Sequence, residues 1–191
     1  MMRLFMLLCC SIQSISALTN GGLRWPIPPK QLFGLDRVVT TRTTGTSQAP
    51  RVQREYMSWN WRTNNHGSFR INYRVEGPQD GPPILLMHGF GANCNHFRFQ
   101  FPALVEAGYR VYAMDFIGFG ASEKPADVPY SIDFFTQQMI DFVSSRKSDS
   151  KWILAGNSIG GLCSLAATAK MEKSVNSSFD VAAIVLFNSG K

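Results

Sequence analysis

Gly156-Asn157-Ser158-Ile159-Gly160-Gly161 decides how this chain is read. The hexapeptide follows a wholly apolar run, residues 152–155, and opens a stretch rich in small residues, 159–171, so it is predicted to join a buried strand to a helix. Its pattern is Gly-x-Ser-x-Gly. A serine on so sharp a turn adopts strained backbone angles, and Gly156 and Gly160 let strand and helix pass without Cβ clashes. The Ser158 hydroxyl then projects from the carboxyl edge of a sheet, and the Ile159 amide, at the start of the helix, points at any negative charge forming beside it. A glycine-rich joint in which Ser158 merely caps the helix is the plain alternative.

Outward from this turn, apolar runs alternate with helical stretches. Strands are predicted at 84–87, 110–114, 152–155 and 181–187, and helices at 97–107, 131–145 and 159–171. The run Ile84-Leu85-Leu86-Met87 is apolar without alternation, as a strand covered on both faces would be. Ahead of it, segments 56–61 and 69–75 flank Asn64-Asn65-His66-Gly67, whose residues tolerate positive φ and predict a hairpin. Strands alternating with helices across short joints specify an α/β fold, a doubly wound and mostly parallel sheet.

The second chemical stretch is His88-Gly89-Phe90-Gly91-Ala92, directly after the strand ending at Met87. With the Gly-Asn-Ser turn it resembles the oxyanion loop of the α/β-hydrolase family. The resemblance implies that the main-chain amides of Phe90 and Ile159 hold a tetrahedral oxyanion, with Ser158 as nucleophile and His88, Gly89, Gly156, Asn157 and Gly160 shaping the loops. Asp115-Phe116-Ile117-Gly118-Phe119-Gly120-Ala121-Ser122 is similar to the next loop of that fold, and Asp115 is read as structural because it precedes the serine in the chain. Gly89-x-Gly91 followed by Asp115 also mimics a dinucleotide-binding fingerprint. That reading lacks its third glycine, Cys94 standing there, and leaves the serine turn unexplained.

The resemblance covers about residues 59–190, the first half of such hydrolases, so the sheet is expected to stop after about its sixth strand. Within the family, the leader described below, His-Gly-Phe-Gly-Ala and Ala121-Ser122-Glu123-Lys124-Pro125 look most like the pheophytinase-type plastid branch. That branch implies cleavage of the phytyl ester of a chlorophyll derivative; bacterial meta-cleavage-product hydrolases, which break a carbon–carbon bond, share the Gly-Asn-Ser look. The resemblance implies that the family's catalytic acid and histidine follow on strands after the one ending at Phe187, and neither of those strands is present here. His66 falls in the hairpin turn, His88 in the loop itself, and His96 near the mouth of the site is an outside candidate. A serine without a base is a weak nucleophile. This stretch alone is therefore expected to be nearly inactive.

Residues 181–187 have the composition of an interior strand yet would lie at the sheet edge, where unpaired apolar strands aggregate. A continuation of the chain, or a partner chain supplying the missing strands, is expected beside them. A ligand-binding or partner-completed half-domain without catalysis is the reading from another class.

The 191 residues, 45% hydrophobic and 17% charged, exclude a disordered protein and fit one core. The net charge of +6 is misleading. Residues 1–53 hold six basic groups and one acid, so the remainder has thirteen basic and twelve acidic groups and no excess with which to bind nucleic acid. Met1-Met2-Arg3 and the short apolar run 4–10 read as a signal peptide, residues 1–17. Seven apolar residues are too few for a transmembrane helix, which needs about 20. Residues 18–53, rich in Thr, Arg, Gly and Pro, read as a transit-like leader, so a plastid destination is expected, with secretion as the alternative. The domain then occupies 54–191. Cys94 and Cys163 are read as core fillers and no metal-ligand spacing occurs, while the family resemblance implies a small hydrophobic ester as substrate and no cofactor.

Overall fold

The computed structural model of the chain describes residues 6–9, 56–146, 148, 151–174 and 179–188. Its strands are β1 (Met6–Cys9), β2 (Tyr56–Thr63), β3 (Gly67–Glu76), β4 (Pro83–Met87), β5 (Arg110–Met114), β6 (Trp152–Asn157) and β7 (Val181–Phe187). They form one sheet in the order β1-β7-β6-β4-β5-β3-β2, parallel except where β3 meets β2 and β5. The helices are α1 (Gln100–Glu106), α2 (Ile132–Ser144) and α3 (Ile159–Glu172).

All five residues of β4 are buried because both faces of the strand are covered. Leu85 and Met87 face the cluster built with Phe135, Met139 and Phe142 of α2 and with Cys163 and Ala167 of α3. Ile84 and Leu86 face the opposite cluster, with Phe101 and Leu104 of α1. Helices on both sides explain why the sequence of this strand does not alternate. The fold is the doubly wound, mostly parallel α/β sheet expected.

The hairpin strands run to Thr63 and from Gly67 to Glu76, longer than the expected 56–61 and 69–75, and three further details differ from the sequence expectations. The helix expected over 97–107 is divided into a 3-10 turn, Cys94–Phe97, and the shorter α1. The Asp115 carboxylate fixes the Cys94 amide at 2.6 Å and the Asn93 side chain caps the turn, so this segment follows its anchors rather than one helical axis. The strand at 152–155 runs on to Asn157, because Gly156 and Asn157 remain paired with β7. Finally, β7 is not the sheet edge: β1 pairs with it in parallel, from Met6 opposite Ile184 to Cys9 opposite Phe187, and the backbone groups on that side are used. The rest of the expected leader, including its cleavage site, lies outside the described residues. Among those described, no helix is long and apolar enough to cross a membrane.

Candidate active site

The connectivity selects where chemistry can sit. From β4 the chain passes to β5 on one side and then crosses to β6 on the other, so β4 and β6 meet at a switch point whose carboxyl end opens a crevice. Met87 pairs with Gly156 as the last step of that ladder. The loops carrying His88-Gly89-Phe90 and Asn157-Ser158 therefore leave adjacent strands at one level.

Ser158 turns the chain from β6 into α3 at φ 51°, ψ −118°, a left-handed backbone that residues with a Cβ rarely adopt. Its amide donates to the Phe187 carbonyl at 2.9 Å, and its own carbonyl accepts from the Gly161 and Leu162 amides. The neighbouring glycines make the turn possible. A Cβ on Gly156 would lie 2.1 Å from the Gly160 carbonyl carbon, and one on Gly160 would lie 2.3 Å from the Met87 carbonyl oxygen. Both contacts are with backbone, which cannot yield. Ser158 remains half-buried, its side chain making no capping hydrogen bond, so the plain capping alternative is not what the structure contains.

Gly89 brings the other loop to the serine, since a Cβ there would meet Asn157 Oδ1 at 2.8 Å and Ser158 Cβ at 3.3 Å. Phe90 follows at once. Among the described residues, neither the Phe90 nor the Ile159 amide donates to a main-chain carbonyl in a turn, loop or cap. First-turn helix amides such as that of Ile159 lack intrahelical acceptors by geometry.

His88 is fully buried, with both ring nitrogens committed. Nε2 accepts from the Phe116 amide at 3.0 Å, so the proton sits on Nδ1, which donates to the Gly89 carbonyl at 2.7 Å. Burial holds the imidazole below its ordinary pKa, against the opposing pull of the Gly89 hydrogen bond and Asp115. His88 is a neutral brace for the loop. His96 is exposed and meets Phe97 edge-on, while His66 lies in the hairpin turn against Phe134. No described histidine reaches Ser158 by a hydrogen bond.

Asp115 ties the loops together. Its carboxylate accepts from the Cys94 amide (2.6 Å), the Ala121 amide (2.8 Å) and Asn72 Nδ2 (2.9 Å), while its carbonyl accepts from Ser122 Oγ and Gln138 Nε2. Asn72, Ser122 and Gln138 are buried polar residues that the sequence reading did not single out. Gln138 had a signal, an amide among Phe134, Phe135 and Met139 on the buried side of α2. Both described thiols are buried, Cys94 pushed up to about 12 and Cys163 to about 11 mainly by desolvation, so neither is a nucleophile at neutral pH. Among the described residues, no group of three or more His, Cys, Asp or Glu is placed to hold a metal ion.

Residues 82–185 match the family model described as alpha/beta hydrolase fold. A haloalkane dehalogenase of Mycobacterium marinum is 42% identical over 76 residues, 40% of this chain and 25% of that protein. Lipase 1 of Psychrobacter immobilis is 33% identical over 108 residues, 56% of this chain and 33% of that protein. Among solved structures, a serine hydrolase involved in carbazole degradation superposes with a TM-score of 0.54 at 30% identity, covering 69% of this chain and 47% of that one. The chain thus spans between a quarter and a half of the length of these relatives.

Proposed function

The chain belongs to the alpha/beta hydrolase fold family, and on that premise we propose that it is the nucleophile-bearing part of a serine hydrolase of carboxylic esters. The observation that carries this reading is the Ser158 backbone at φ 51°, ψ −118°, held against the cost of a strained residue by two glycines that admit no Cβ. Such strain on a half-exposed hydroxyl beside a crevice is better matched to a nucleophile than to a cap. A lipase among the relatives favours ester chemistry, and a serine hydrolase among the structural neighbours favours a serine nucleophile.

In this reading a base removes the Ser158 proton, Oγ bonds to the ester carbonyl carbon, and the carbonyl electron pair moves onto oxygen. The Phe90 and Ile159 amides receive that oxyanion, each donor contributing on the order of 3 kcal/mol. The carbon–oxygen bond to the alcohol then breaks as the base returns the proton to the leaving oxygen, and water repeats the sequence on the acyl-enzyme. His88 has no free nitrogen for the proton, and no hydrogen bond joins His66 or His96 to Ser158, so the base in this reading is assigned to a part of the whole protein other than the residues described.

The finer reading is a small hydrophobic ester, specifically the phytyl ester of a chlorophyll derivative, handled in a plastid. The leader composition and the two loop motifs support it. In the full-length protein a fluorophosphonate probe should label Ser158 and lose that label in Ser158→Ala. A folded full-length protein that takes no label would instead favour a binding role. Phytol release from pheophytin tests the substrate, and cleavage of a dienoic ring-fission product in its place would move the reaction to carbon–carbon bond hydrolysis.

A further inference from the structure

We propose that Phe90 is a specificity-determining residue whose ring face receives a flat, conjugated part of the acyl group carried on the scissile carbonyl; this rests on the reading of Ser158 as the nucleophile. Phe90 is 79% exposed, although the residues around it are fixed. His88 is buried, Gly89 has no space for a Cβ, and the Ala92 amide closes the turn onto the Gly89 carbonyl at 3.2 Å with Gly91 at φ 72°. The ring is therefore carried on a rigid loop and still turned to solvent.

Among the described residues its aromatic neighbour is Phe119, edge-on at 5.3 Å and 72°. Phe119 is itself braced by His88 at 5.8 Å and Phe135 at 6.0 Å. The loop holding it is tied back by main-chain hydrogen bonds, the Gly118 amide to the Glu123 carbonyl at 2.8 Å and the Phe119 amide to the Phe116 carbonyl at 2.9 Å, and Gly120 at φ 53° lies against the Asp115 carboxylate. The two rings make an L-shaped aromatic corner, one arm locked and the other with an open face.

The position of that face follows from the backbone. The amide of Phe90 is the donor assigned to the carbonyl oxygen, so Cβ of the same residue starts beside the substrate carbonyl, and the ring is assigned to its acyl side. A planar conjugated acyl group can stack offset on the ring, and a straight alkyl chain gains contact area without the matched quadrupole. Rings on fixed loops hold such a group without first having to be ordered.

The test compares two esters of one alcohol, 4-nitrophenyl 2-naphthoate and 4-nitrophenyl butyrate, on the full-length protein. The ratio of their kcat/KM values should favour the naphthoate, fall roughly five-fold in Phe90→Leu and be kept in Phe90→Tyr. Leucine retains apolar bulk and loses the π-face, so the ratio isolates stacking from any general loss of rate. A ratio unmoved by Phe90→Leu in protein whose Ser158 still takes the fluorophosphonate label overturns the role of Phe90 alone. Failure of the wild type to label removes the nucleophile beneath it. A lowered melting temperature in Phe90→Leu, with both esters slowed equally, would show that another part of the protein covers the ring, and also overturns the proposal.

Discussion

At Ser158 a side chain occupies backbone angles suited to glycine, and such a residue costs of order 1–3 kcal/mol unless its surroundings force it. The forcing groups are Gly156 against Gly160 and Gly160 against the Met87 carbonyl. One consequence reverses a general rule. Replacing alanine by glycine ordinarily destabilises by roughly 0.5–1 kcal/mol through unfolded-chain entropy, but here glycine also removes the strain. Ser158→Gly should therefore exceed Ser158→Ala in stability by about 1 kcal/mol, read from urea midpoints at a common slope. If alanine proves the more stable, the turn stores no strain. The motif was legible because its residue types are those the geometry demands. The exposure of Phe90 was not, since an apolar letter carries no sign of which side of the loop it will occupy.

Among the elements, the strands were read best. Residues 110–114 and 181–187 begin and end where expected, because each is a mostly buried, largely apolar run that a polar residue closes, Asp115 after the first and Asn188 after the second. The segment after β4 was read worst. Its break between Phe97 and Gln100 follows a 3-10 turn anchored at Cys94 by the carboxylate of Asp115, distant in sequence, and no local pattern records that hydrogen bond. Asp115 also holds Ala121 and Asn72, so one side chain sets the loops after β4 and β5 against β3. Asp115→Asn keeps the shape and replaces one acceptor oxygen with an NH2 group. Three donors then compete for one oxygen, and leaving a buried donor unmet while losing charge-assisted bonds should cost about 3 kcal/mol. Chemical denaturation of the purified variant measures this, and a loss under about 0.5 kcal/mol, typical of a surface substitution, would show that the loops are held by packing instead.

For the whole molecule, the sheet order decides how rigid the crevice is. β4 is wholly buried between β5 and β6, with a helical layer on each face, whereas β2 forms one edge and exposes most of its residues. Amides in doubly paired, buried strands open only with global unfolding, while those of an exposed edge open locally at far lower free energy. The two loops proposed to hold the oxyanion leave β4 and β6, so their relative position is set by the most protected part of the protein and not by flexible connections. Hydrogen exchange followed by mass spectrometry on the full-length protein should accordingly find peptides spanning 83–88 and 152–157 among the last to exchange, and the hairpin of β2 and β3 early at its turn. Raising urea should abolish fluorophosphonate labelling at the same concentration at which the slow class exchanges. A crevice assembled by mobile loops would lose its label first, and the arrangement of two amides around Ser158 would then require some other support than the sheet.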